Sequence, residues 1–395
     1  MKPILPEGVR FIIEKLEENG KKGHIVGGCV RDFLLSKIPN DYDITTDATP
    51  NEMKKIFAAE RTVETGIKHG TLTLLYKGEP YEVTTYRVDG EYEDHRRPKS
   101  VSFTDTLSGD LARRDFTMNA ICYNERDGFV DMFSGIKDIK AGIIRAVGDA
   151  ERRFEEDALR ILRAVRFASV LGFTVDAETA RSAKEKSHLL SAVSAERIYT
   201  EWKKLLSGKA AYEVISEYRE ILSRFLFKEK IILPEREKFA EAEAEERQLA
   251  IFYLSVENAA ERFSDFCDRM KTDSKTKKNG AIALSNISID LNTPKEVRLA
   301  AVRLGRESVA LILKVKALCS MSCVSQSELD SILSEGYPLS LGELSVNGED
   351  MRSLGFEGRE IGIALERLLI VSASGEVKNE RRELLALGKE MRNGV

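Results

Sequence analysis

Two aspartates one residue apart, in Asp41-Tyr42-Asp43, open a run to Thr45 that alternates with the period of a strand. On a strand, residues i and i+2 share a face, so the two carboxylates project side by side. Such a pair repels itself unless a cation sits between, and Mg²⁺ is commonly held by one or two carboxylates together with substrate phosphates. A solvated acidic edge is the alternative reading in a chain of which 32% is charged. Glu82, on the β-rich run 81–86, offers a third carboxylate. Upstream, Gly27-Gly28-Cys29-Val30-Arg31-Asp32 places a glycine pair between a strand and a helix. Glycines let the backbone approach a phosphate, the helix start favours an anion, and Arg31 adds a charged donor one turn in. An ordinary turn with a surface arginine has the same pattern.

Further along, Asp157, Arg160, Arg163 and Arg166 recur every third residue. On a helix this spacing drifts only about 60° per step, which makes a slanting polar stripe. Leu159, Leu162 and Val165 make an apolar stripe beside it. An amphipathic helix with an i,i+3 ion pair and a solvated arginine face is the plain reading. A chemical reading also exists. Cytosine and adenine both present an amine beside a ring-nitrogen acceptor, whereas uracil and guanine present the reverse. An aspartate accepting from the amine and an arginine donating to the ring nitrogen therefore admit C and A and reject U and G.

The elements that must position these groups are legible in outline. Residues 23–28 read as a short strand ending in a tight turn, followed by a short helix over 30–35. Thr49-Pro50-Asn51-Glu52 is a helix start: Thr49 caps, Pro50 suits the first helical position and Glu52 closes a capping box. That helix is expected to end near Phe57. Residues 71–76 and 81–86 read as strands joined by Lys77-Gly78-Glu79-Pro80, a hairpin signal. Helices are expected over 154–171 and 195–206. Charged amphipathic helices then run on, interrupted at residues 271–275. The fold class is α+β: a small mixed sheet flanked by helices, followed by an all-helical remainder.

The chain has 395 residues, enough for two or three domains, with 42% hydrophobic residues and no run long enough to span a bilayer. Charges break the first twenty residues, so no secretory apolar stretch is expected there. The five cysteines (Cys29, Cys122, Cys267, Cys319, Cys323) are odd in number, and the four histidines form no ligand cluster. A reduced, cytoplasmic protein is expected. Net charge is −4, so any polyanion site must be a local patch.

Taken together, the glycine pair, the D-x-D strand, Arg113-Arg114-Asp115-Phe116-Thr117-Met118-Asn119-Ala120 and the segment Glu156 to Phe167 resemble the class II tRNA nucleotidyltransferases, the CCA-adding enzymes, and the related bacterial poly(A) polymerases. The resemblance runs in order over about residues 23–206. The segment Leu344 to Leu369, with Gly348-Glu349-Asp350 and Gly355-Phe356-Glu357-Gly358, is similar to the tail of Firmicute-type CCA-adding enzymes. It implies a DNA polymerase beta-like head (1–137), a helical neck that recognises the base (138–206), a body (207–275) and a tRNA-binding tail (276–395). It implies addition of C, C and A to the tRNA 3′ end from CTP and ATP.

By the same resemblance, Asp41 and Asp43 hold two Mg²⁺ ions, Gly28, Arg31 and Arg114 bind the nucleotide, and Asp115 is associated with the ribose. Asp157 and Arg160 form the base template, and Arg163 and Arg166 hold triphosphate or orient the template arginine. The stretch Asp89 to Pro98 resembles the loop that complete enzymes need for the final adenosine. Lys271, Lys275, Lys277, Lys278, Arg381, Arg382 and Arg392 are candidate phosphate contacts, although a charge run is usually a solvated face. A CC-adding or A-adding half-enzyme, a poly(A) polymerase, a small-molecule adenylyltransferase and an inactive RNA-binding relative stay open. No membrane and no protein partner is implied, and the oligomeric state, homodimer included, is undetermined.

Overall fold

A computed structural model describes residues 3–90, 92–93, 97–98 and 101–393. The chain forms two compact units, Met1–Ile221 and Leu222–Val395.

The first unit opens with helix α1 (Glu7–Glu18), whose Val9, Ile12, Ile13 and Leu16 are buried. Strand β1 (Gly23–Val26), helix α2 (Gly28–Leu34) and strand β2 (Asp43–Thr46) follow. Helix α3 (Pro50–Ile56) starts as its residues dictate: the Thr49 side chain accepts from the Glu52 amide and Glu52 closes the capping box. Strands β3 (Arg61–Val63), β4 (Thr71–Tyr76) and β5 (Glu79–Thr85) come next. The β4–β5 hairpin turns at Lys77 and Gly78, both at positive φ.

Strands β6 (Arg87–Asp89) and β9 (Val101–Phe103) pair antiparallel, as do the two-residue strands β7 (Tyr92–Glu93) and β8 (Arg97–Pro98). Of the expected loop, Asp89 to Pro98, residues 91 and 94–96 lie outside the described residues. Helix α4 (Leu107–Ala112) leads to β10 (Ile121–Asn124) and β11 (Gly128–Asp131). Among the described residues one seven-stranded mixed sheet results, in the order β11-β10-β1-β2-β5-β4-β3. β2 and β5 are its parallel pair, with Asp43 opposite Glu82.

Helix α5 (Gly135–Ala141) precedes strand β12 (Ile143–Ile144), and then come α6 (Ala150–Glu156) and α7 (Leu159–Leu171). The sequence led us to expect one helix over 154–171, and the structure corrects this: the helix breaks at Asp157, which is extended (φ −139°, ψ 101°). The cause is local competition for the backbone. The Asp157 side chain accepts from the Leu159 amide at 3.1 Å and so caps the new helix instead of continuing the old one. Arg160, Arg163 and Arg166 keep their spacing on α7, and Asp157 stands before it. After α8 (Ala177–Glu185), helix α9 (Ala195–Leu206) spans the expected residues and buries Ile198, Trp202, Leu205 and Leu206.

The second unit is helical throughout its described elements, from Arg236–Glu241 to Arg381–Asn393. Phe227, Phe252, Phe263 and Phe266 form one aromatic cluster, with Phe252 edge-on to both Phe263 and Phe266. Val346, Met351, Phe356, Leu368 and Leu384 form another core. Helix starts at Thr293, Ser325 and Asn347 each carry a complete capping box. Asp350 does this for Asn347 and is also ion-paired to Arg381, so that arginine has a structural partner. Lys277 pairs with Asp268, and Arg392 lies 3.5 Å from Glu360. Among the described residues no helix is long and apolar enough to cross a membrane.

Candidate active site

Asp43 opens β2, directly after Asp41 and Tyr42, and the parallel register sets Glu82 beside it. Burial lifts the Asp43 carboxyl above the usual carboxylate range although the residue still reaches solvent. The charge of Asp41 and, to a lesser degree, that of Glu82 add to the rise, against the pull of Arg114. Three carboxylates and one guanidinium are thus gathered at one end of the β2–β5 pair. Among the described residues no group of three acidic, His or Cys side chains is arranged as a ready cage for a metal ion. A hard cation such as Mg²⁺ keeps waters and takes one or two carboxylates plus phosphate oxygens. The donor set is all oxygen and mutually repelling, as such an ion requires.

The glycine turn is shaped by Gly27 more than by Gly28. Gly27 has φ 82° and a Cβ there would stand 3.1 Å from Arg114 Nη1. Gly28 has an ordinary φ and room for a Cβ, 3.8 Å from Arg31 Nη2. Arg114 is held by one 3.2 Å bond from Nη2 to Asp110, while its buried Nε has no protein partner among the described residues. A buried donor left unpaired costs free energy, and an anionic ligand at this spot would recover it. Asp110 is fully buried and also receives Arg113 at 2.7 Å and the Thr45 hydroxyl at 3.3 Å.

Arg31 donates to Asp32 at 2.7 Å and to Asn119 Oδ1 at 2.9 Å. Asn119 Nδ2 donates in turn to Asp115 at 3.0 Å. The Asp115 carboxylate also takes the Phe116 amide at 2.8 Å and Arg163 through Nε at 2.8 Å and Nη2 at 2.7 Å. A carboxylate has about four lone-pair positions, so Asp115 is saturated. Burial alone would raise its carboxyl, but Arg163 and the Asn119 bond outweigh it and hold it down at about 2. Arg166 pairs with the buried Glu201 of α9 at 2.8 Å, and Arg163 Nη1 lies 3.8 Å from the same carboxylate.

Asp157 and Arg160 are three residues apart and share a backbone hydrogen bond, but their side chains bond elsewhere. Asp157 Oδ2 accepts from Arg197 of α9 at 2.8 Å, and a buried Nη1 of Arg197 has no partner among the described residues. Arg160 is 8% exposed, and its guanidinium donates to the carbonyls of Arg153 (3.1 Å) and Arg113 (2.9 Å) and to Glu156 (2.8 Å). The sequence had singled out neither Asp110, Asn119, Arg197 nor Glu201. Asn119 lay within a motif-bearing segment, and its polar amide among apolar neighbours was the available signal; the other three gave none.

Residues 23–145 match the poly A polymerase head domain, and residues 172–229 match the probable RNA and SrmB-binding site of polymerase A. The CCA-adding enzyme of Pediococcus pentosaceus is 35% identical over 388 residues, 96% of each chain. That of Ligilactobacillus salivarius is 48% identical over 207 residues, 52% of this chain and 51% of the relative. The crystal structure of the Bacillus stearothermophilus CCA-adding enzyme in complex with CTP is 31% identical, with TM-score 0.81 over 100% of this chain and 99% of that one. The Thermotoga maritima CCA-adding enzyme complexed with tRNA shares the fold at 20% identity (TM-score 0.67, 98% and 96% covered). With 35% identity to a curated relative over 96% of both chains, and a poly A polymerase head domain over residues 23–145, this chain belongs to the CCA-adding enzyme family.

Proposed function

We propose that this chain adds C, C and A to the 3′ end of tRNA, taking CTP and ATP and releasing pyrophosphate. The observation that carries the reading is the gathering of Asp41, Asp43 and Glu82 around a strand end that also faces Arg114. Asp41 and Asp43 would hold Mg²⁺, which supplies charge neutralisation and lowers the pKa of a bound hydroxyl. Arg114 has a buried donor with no partner among the described residues for an anionic oxygen, and Arg31 Nη2 lies beside Gly28. Attack on the α-phosphate is largely a matter of position and charge, which this set of arginines supplies.

For the base, Asp157 accepts from the exocyclic amine and Arg160 donates to the ring nitrogen. Each Asp157 oxygen has a second lone pair beyond its present bond, so Asp157 can do this without losing Arg197. Arg160 brings to the base a guanidinium with five N–H donors in a fixed fork. At the ribose, Asp115 must release a donor before it can accept a 2′-OH, and Arg163, which has triphosphate as an alternative partner, is the one we assign. Arg166, tied to Glu201, keeps Arg163 in place. We assign residues 1–137 to the catalytic head, 138–206 to the neck, 207–275 to the body and 276–395 to the tRNA-binding tail, in a cytoplasmic enzyme.

The test is incubation with Mg²⁺ and tRNAs ending before CCA, after C or after CC, with CTP, ATP or both. Three additions that then stop are expected. Arrest after CC, or use of the CC-ended tRNA alone, would make the chain a half-enzyme, and long adenosine tails on any RNA would make it a poly(A) polymerase.

A further inference from the structure

Phe167 lies on α7, 4% exposed, in the turn that carries Arg163 and Arg166. The guanidinium carbon of Arg166 is 3.5 Å from the centre of its ring, that of Arg31 is 5.1 Å away and that of Arg163 is 5.4 Å away. All three lie within the roughly 6 Å at which a cation is drawn to an aromatic ring. The carboxylates differ: Asp32 pairs with Arg31, Asp115 with Arg163, and Glu201 with Arg166 and, at 3.8 Å, with Arg163. The ring is what the three have in common. Phe116, fully buried, meets it edge-on at 5.9 Å and fixes its plane. Phe116 also donates its amide to Asp115, so the same two rings tie α7 to the segment that follows α4.

Three guanidinium groups converging on one spot repel one another. The negative face of an aromatic ring offsets part of that repulsion, whereas an aliphatic side chain of equal volume does not. We propose that Phe167 is a positioning residue for nucleotide binding, its ring serving as the shared seat that holds Arg31 and Arg163 towards the triphosphate, with Arg166 packed on the same ring to keep Arg163 in place. The proposal rests on the reading of Arg31 and Arg163 as nucleotide-holding groups and of Arg166 as the residue that keeps Arg163 in place.

Fluorination tests it without changing the packing. Replacing Phe167 in the full chain by mono-, di- and trifluorophenylalanine weakens the ring's negative face stepwise at nearly constant shape. The equilibrium Kd for CTP and for ATP, measured without tRNA, is expected to rise with each fluorine and to reach about tenfold at three. The KM for each nucleotide should follow, while kcat and the KM for tRNA stay at the wild-type level. Phe167→Tyr should bind as the wild type does, and Phe167→Leu should resemble the trifluoro form. A flat Kd through the fluorinated series overturns the proposal. Wild-type protein that binds CTP and ATP but extends no tRNA overturns the proposed activity and leaves the Kd series to decide on the ring. Protein that binds neither nucleotide overturns both.

Discussion

Arg197 on α9 donates to the Asp157 carboxylate at 2.8 Å, across 40 residues of chain. Arg160, three residues from Asp157, instead donates to backbone carbonyls on α6 and beyond α4. The two groups assigned to base selection are therefore each fixed by a different neighbour, one from α9 and one from the α4–α6 region. Selectivity then depends on two independent supports.

The first prediction follows from the Asp157 support. Arg197→Met keeps the stem of the side chain and removes the donor, so the Asp157 carboxylate is left with its bond from the Leu159 amide alone and is less firmly placed. Loss of fine position in a site of this kind costs on the order of a hundredfold in rate. We expect kcat/KM for CTP and ATP to fall by about that factor and the relative use of UTP and GTP to rise. Competition assays with all four nucleotides measure it, and an unchanged order of preference would remove Arg197 from this role.

Arg160→Ala should act on two levels. It blurs the choice of C and A, because the donor to the ring nitrogen is gone. It also leaves the Glu156 carboxylate and two carbonyls short of a donor in a buried setting. A loss of about 2–4 kcal/mol in stability is expected. Arg197→Met, half-exposed at its pair, should lose less. Thermal melting of the two variants side by side separates the effects, and equal melting points would contradict the assignment of Arg160 as a buried bridge.

Local chemistry made much of the fold legible. The capping box at Thr49, the hairpin through Lys77 and Gly78, and the limits of α9 each depend on a few adjacent residues and stand where they were expected. The break at Asp157 did not show, because the apolar spacing runs through it unchanged. Only a carboxylate that caps the next helix, steadied by an arginine 40 positions on, stops the first one. The site was legible as to residue types and not as to partners. That Arg31 would meet Asn119, Arg163 would meet Asp115 and Arg166 would meet Glu201 follows from packing α2, α7 and α9 together, which spacing along the chain does not encode.

The carboxylate group yields a prediction with two signs. Asp43→Asn removes charge from a carboxyl that burial, and then Asp41 and Glu82, already press upward. In EDTA the variant should melt no lower than the wild type, because repulsion is relieved and the side chain keeps its shape. Nucleotide addition should nevertheless vanish at any Mg²⁺ concentration, as it should in the wild type when the metal is stripped. Glu82→Gln should instead raise the Mg²⁺ needed for half-maximal activity. Near-normal turnover of Asp43→Asn in Mg²⁺ would sink the metal assignment.

The last prediction concerns acid. The Asp115 carboxyl is held at about 2 in the folded protein, below the value of about 3.9 usual in an unfolded chain. The folded state therefore binds fewer protons at this group, and the stabilisation is fully present above about pH 4. It is lost as pH falls towards about 2, where the folded carboxylate finally takes up its proton and Arg163 loses its anionic partner. Asp115→Asn has no such proton to take up. At pH 7 it should be less stable than the wild type by about 2 kcal/mol. Between about pH 4 and about pH 2 the gap should narrow. Melting midpoints of both proteins across that range give the answer. A gap that stays constant down to pH 2 would mean that Asp115 carries no charge-dependent share of the stability, and that the Arg163 pair contributes shape alone.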